Sequence, residues 1–184
     1  MAVLALAQSP VWAGQLATVA TAVWARGRSW RRDLGLEIRL VDLPVGLVCG
    51  LGAQVGIGVL YRLAEPWFDL DVERSAEQLI AKGQGAAALV VMLLLWAVTA
   101  PLVEELLFRG LLQGGLARRL PGPAAVAITA LIFAAVHFQL PQLPGLFLAG
   151  MVFGGLAQYF GRLGPAIVAH ACFNTTTVVA LGLL

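Results

Sequence analysis

Apolar runs alternate with short polar connections along the whole chain, at roughly 3–25, 43–62, 86–112, 123–138, 145–160 and 165–184. At 1.5 Å per residue, about 20 residues cross the hydrocarbon core of a bilayer. The first three runs are long enough to span it. The fourth and fifth are short and call for tilt, thinning or burial among neighbouring helices. The pattern predicts an all-α, polytopic membrane bundle of about six transmembrane helices. Between the second and third runs, 71–82 (DVERSAEQLIAK) reads as a short surface helix capped by Asp71, its charges a solvated face.

Composition agrees. The 184 residues are 60% hydrophobic and 12% charged, more apolar surface than a soluble domain of this size needs. The net charge is +2 with no Lys/Arg-rich run, which excludes a nucleic-acid partner and leaves the arginines as topology signals. Loop 26–42 carries Arg26, Arg28, Arg31, Arg32 and Arg39, loop 113–122 carries Arg118 and Arg119, and turn 161–164 carries Arg162. The alternate connections are poorer in cations, with Arg74 and Lys82 among five acids in 63–85 and no charge in 139–144. The positive-inside rule therefore places the arginine connections in the cytoplasm and both termini outside. Trp24, Trp30 and Trp67 fall near span ends, where interfacial aromatics sit. Cys49 and Cys172 lie in apolar segments without a second ligand at metal spacing, so no disulfide framework is expected. No basic stretch precedes the first apolar run, as a secretory signal would require, and no internal repeat is visible.

Against this background the stretch PLVEELLFR, 101–109, stands out, because it places Glu104, Glu105 and Arg109 inside the third span. A charge at the bilayer centre costs roughly 2.5–3.5 kcal/mol even on the lenient insertion scale, so such groups default to function. Glu105 and Arg109 are four apart, share a helix face and run in the favourable order. Glu104 points about 100° away, which leaves one carboxylate to pair with the guanidinium and the other free for chemistry. Pro101 is expected to kink or unwind the helix and loosen carbonyls. Gly110 with Gly114, and Gly150 with Gly154, have GxxxG spacing and read as packing devices.

Few other ionisable groups fall in the spans. His137 ends the fourth run, four residues after Phe133, and His170 lies early in the sixth with Asn174 four residues on. A lone histidine is more often a satisfied core residue than a catalytic one, but two Glu, one Arg, two His and one Asn together point to a site. Exclusion narrows its chemistry. None of the three serines (Ser9, Ser29, Ser75) lies in a span beside a histidine, which argues against a serine nucleophile. All four aspartates are in loops or at span ends, so an intramembrane aspartyl dyad is excluded, and HExxH is absent. What remains is a carboxylate-and-histidine site acting on water. In it Glu104 and His137 hold a water that Glu104 deprotonates, and His170 with Asn174 donates to the developing oxyanion. Arg109 neutralises Glu105.

EExxxR at Glu104–Arg109, FxxxH at Phe133–His137 and HxxxN at His170–Asn174 occur in that order on successive segments. Together they resemble the CPBP family of intramembrane proteases, which includes the CAAX prenyl endopeptidases and the bacterial bacteriocin-processing and immunity (Abi) proteins. The resemblance covers about 100–184, with 1–99 as supporting helices of one integrated membrane domain. It implies a peptidase with Glu104 and His137 on the water, His170 and Asn174 at the oxyanion, and Glu105 and Arg109 in support. It leaves metal dependence open. Glu104, His137 and His170 are a sound donor set for Zn²⁺, although a metal-free glutamate mechanism is preferred here. The family's eukaryotic branch implies a prenylated CAAX peptide as substrate, whereas a small chain of this kind points to an unprenylated peptide or a membrane protein. The composition suggests a prokaryotic plasma membrane, with the site opening to the cytoplasmic half. The alternatives are a proteolytically inactive immunity or scaffold protein and, with less support because no repeat is present, a proton-coupled carrier. One depth mismatch follows from the spacing. Glu104 lies about 21 Å along its helix from Arg118, but His170 only about 9 Å past Gly164. Either the third helix extends beyond the bilayer or 113–119 turn along the interface.

Overall fold

Inside lipid a chain segment satisfies its own backbone N–H and C=O groups only as a helix or a closed barrel, and these apolar runs take the helical solution. A computed structural model of the chain describes residues 2–25, 29–66 and 86–182, which form six helices and, among the described residues, no strand. They are α1 (Ala2–Ala25), α2 (Asp42–Ala64), α3 (86–116), α4 (Gly122–Ala135), α5 (Leu143–Phe160) and α6 (Gly164–Gly182). Asp42–Ala64, Leu89–Leu116 and Leu140–Phe160 are each long and apolar enough to cross a membrane, and Gly122–Ala135 is a shorter apolar helix. The expected surface helix at 71–82, Trp67, Arg26 and Arg28 lie outside the described residues.

The short fourth run is accommodated by burial. Ala125, Val126, Thr129, Ala130, Phe133 and Ala134 of α4 are all covered, and α4 packs along α5, where Gly150 meets Ala130. α2 and α6 approach closely through a further GxxxG, Gly46 with Gly50. A Cβ on Gly46 would sit 2.5 Å from the Val168 side chain, and one on Gly50 would sit 2.4 Å from the Ala169 carbonyl. Small residues at such a contact let dispersion and packing hold helices together where lipid offers no hydrophobic drive.

The arginine connections gather at one end of the bundle. Leu163 N–H donates to Gly35 C=O and Gly164 N–H donates to Glu37 C=O, joining turn 161–163 to the loop before α2. The side chains reinforce the join: Arg162 Nη2 donates to Asp42 Oδ1 at 2.5 Å and Nε to Oδ2 at 3.3 Å, with Asp42 fully buried. Asp42 pushes the Arg162 guanidinium up from its ordinary range, and Arg39, then Arg31, hold the Glu37 carboxyl below its ordinary 4.5. A lowered carboxyl stabilises the fold fully above its unfolded value, and that contribution is lost as pH falls through the folded one, so the Glu37 contacts loosen on acidification.

Gly164 has no room for a side chain here, since a Cβ would lie 2.1 Å from Asp42 Oδ2. We expect Gly164→Ala, which severs this clamp, and Arg162→Ala, which strands a buried carboxylate, each to lower the melting temperature in detergent by about 5 °C or more. Tryptophan fluorescence on heating reads the shift, and an unchanged transition in both variants refutes the clamp.

The depth mismatch is resolved by α3 itself. Gly110 already packs against Leu34 and Leu163, yet the helix continues to Leu116 before the chain turns. Two stretches of α3, Leu93–Thr99 and Leu106–Gln113, are also π-helical. Only Leu106–Gln113 lies between Glu104 and the turn, and its i→i+5 bonds widen the helix there.

Candidate active site

Helical spacing puts Glu105, Arg109 and Gln113 on the face of α3 that meets α5 and α6, and Glu104 on the neighbouring one. Glu105 is fully buried, and its Oε1 accepts from Arg109 Nη1 at 2.8 Å and from His170 Nδ1 at 2.8 Å. The carboxylate has no hydrogen to give, so the shared proton lies on His170 Nδ1. Arg109 Nη2 continues to Gly150 C=O at 3.2 Å. Its guanidinium carbon stands 4.5 Å from the Phe133 ring centre and 5.6 Å from that of Phe153, in cation–π range. One turn on, Gln113 Nε2 donates to Gly154 C=O at 3.0 Å. The glycines of α5 therefore serve twice, in close packing and in baring two carbonyls to α3.

Glu104 is the freer carboxylate. Its side chain is 15% exposed, and its Oε2 lies 3.9 Å from His170 Nε2, beyond hydrogen-bond length. Both His170 and His137 are near enough to act electrostatically on it. The His170 ring is held flat against Phe153, centroids 4.6 Å apart at 16°, and edge-on to Phe133. His137 departs slightly from expectation. α4 ends at Ala135, and His137 stands in the turn beyond, just before Phe138, which has a left-handed backbone. Its Nδ1 is 2.6 Å from Phe133 C=O and donates to it, and its ring edge packs on Phe133. That leaves Nε2 of His137 free to accept.

Asn174 is placed by a bond the sequence did not announce. Its Nδ2 donates to Trp96 C=O at 2.7 Å. That carbonyl is available because Ala100 N–H goes to Leu95 C=O in the π register and Pro101 has no N–H to offer. The proline neither breaks nor unwinds α3. It frees one carbonyl, and Asn174 takes it while keeping a second N–H. Pro101→Ala restores a competing donor, so we expect about a tenfold fall in turnover at unchanged KM. An equal fall in an Asn174→Ala background would show that the two residues are not coupled.

The types of Glu104, His137 and His170 suit zinc, but the geometry does not gather them. Among the described residues, no three of His, Cys, Asp and Glu come close enough to hold one ion. Cys49 and Cys172 are free.

A helical membrane bundle that buries two carboxylates, an arginine and an imidazole around one point defines a polytopic membrane protein with a built polar centre. Residues 86–176, about half the chain, match the Rce1-like family model, described as type II CAAX prenyl endopeptidase Rce1-like. The chain belongs to that family through this segment, and so to the intramembrane endopeptidases in general. The match begins within α3's first turn and contains every residue of the cluster. No curated protein and no solved structure matches the chain.

Proposed function

We propose that this chain cleaves a peptide bond in its substrate with a water activated by Glu104. The supporting observation is the division of labour between adjacent carboxylates. Glu105 Oε1 is engaged by Arg109 and His170, whereas Glu104 makes no hydrogen bond among the described residues, is partly exposed and lies near both imidazoles. Glu104 takes a proton from water as its oxygen adds to the scissile carbonyl carbon, and His137 Nε2 accepts the water's other hydrogen. His170, donating to Glu105 through Nδ1, turns Nε2 toward the reacting centre. As an imidazolium it donates there to the oxyanion, joined by the second N–H of Asn174. With two carboxylates, one guanidinium and one imidazolium, the cluster is neutral. Collapse of the intermediate breaks the C–N bond as Glu104 returns the proton to the leaving nitrogen.

The substrate class is an unprenylated peptide or a membrane protein. The arginine-bearing end faces the cytoplasm, by the positive-inside rule. The test is cleavage of a membrane-peptide library by wild type, Glu104→Ala and His137→Ala, each with and without chelator. Cleavage lost in both variants and unaffected by chelator supports a glutamate-activated water. Loss with chelator and rescue by zinc makes the same residues ligands. No cleavage by folded wild type moves the reading to an inactive immunity or scaffold protein, or to a carrier.

A further inference from the structure

Glu105, Arg109 and Gln113, at successive steps of four along α3, are 0%, 3% and 5% exposed, and each has one buried polar atom without a partner among the described residues. These atoms are Glu105 Oε2, Arg109 Nε and Gln113 Oε1. The rest of each side chain is engaged, by His170, Gly150 C=O and Gly154 C=O, so the orphans are not free to swing elsewhere. Buried polar atoms are almost always hydrogen-bonded. Here three of them repeat as acceptor, donor, acceptor over about 12 Å. An anion would meet the Glu105 carboxylate and a cation the Arg109 guanidinium. Water, donor and acceptor at once, suits all three.

An open cavity of about 400 Å³ adjoins this face at the arginine-bearing end, lined by Arg109 and Gln113 together with Gly114, Ala117, Gln158 and Arg162. Gly114 is the one glycine of the two expected GxxxG pairs that does not pack: a Cβ there meets nothing closer than 3.7 Å. At the inner end, Glu105 touches His170, whose other nitrogen faces Glu104.

We propose that the Glu105–Arg109–Gln113 face is a water-binding file fed from this cavity, and that the water consumed at Glu104 enters along it. The second clause rests on the peptidase reading, and the first does not. Radiolytic hydroxyl labelling with mass spectrometry tests the file directly. Phe133 and Phe153, beside Arg109, should oxidise readily despite their burial, while Trp12, buried against Ala100 and Val103, stays protected. Gln113→Leu should lower labelling of both phenylalanines about fivefold or more. Wild-type phenylalanines as protected as Trp12, or unchanged by Gln113→Leu, overturn the file.

For entry, Gly114→Cys is made with Cys49 and Cys172 replaced by alanine and is then capped with a bulky thiol reagent. Capping should reduce kcat about tenfold at constant KM. Labelling that persists with kcat untouched by the cap overturns entry by this route. Absence of cleavage in uncapped, folded protein overturns the peptidase reading, and the labelling still decides the file.

Discussion

Replacing Glu104 by glutamine leaves a folded protein whose kcat on a cleavable peptide falls about a thousandfold, in the range a positioned general base supplies. The amide keeps the shape of the carboxylate but cannot take a proton from water. Little else should change, because Glu104 makes no hydrogen bond among the described residues and His170 Nε2 stands 3.9 Å from it. The melting temperature should therefore stay within about 2 °C of wild type, as for a substitution that strands no buried partner. The neighbouring Glu105→Gln should lose stability as well as rate. Measured kcat, KM and melting curves on the two variants separate a base from a brace. A Glu104→Gln enzyme that retains a tenth of wild-type turnover removes Glu104 from the chemistry.

The second large effect is on folding. Arg109→Ala should destabilise by about 3–5 kcal/mol, the cost of leaving a buried charge without its partner. Glu105, fully buried, then keeps only His170 as a partner among the described residues. Glu105→Ala is comparable from the other side, since Arg109 would be left with Gly150 C=O and aromatic rings. Replacing both residues, as Glu105→Leu with Arg109→Met, should be milder than either single alanine, because an apolar pair of similar volume carries no stranded charge. A melting shift of about 10 °C for each single variant and less for the double is the expected pattern. Additive losses would refute the pairing energy.

Much of the bundle was legible because burial in lipid enforces a simple code. Expected limits of 43–62 and 145–160 became 42–64 and 143–160, since apolar length and helix length are the same requirement. The Glu105–Arg109 pair and the separate heading of Glu104 follow from helical angles alone. What was not legible depends on tertiary partners. Nothing in LLLWAVT or LLFRGLLQ marks a π register, because such a turn is decided by which carbonyls neighbouring elements claim. Gln113 carries no mark in the sequence, and its partner, Gly154 C=O, is met only in the fold. Asp42 and Arg162 are 120 residues apart, and only the folded chain brings them together. The candidate site residues stand out by their cost in a membrane, whereas the groups that hold them, Trp96 C=O among them, carry no such cost and leave no trace in the sequence.

The placement of Glu105 and Arg109 on a single helix also bears on how the protein is made. A helix leaves the translocon before its later neighbours are synthesised. Here α3 emerges with its guanidinium already within reach of a carboxylate four residues earlier, so the segment can enter lipid with that charge cancelled from within. The imidazole that completes the cluster arrives 65 residues later, on α6. Assembly of the proposed centre therefore waits for α6, and a chain stalled before it is a membrane-inserted protein that lacks the His170 imidazole.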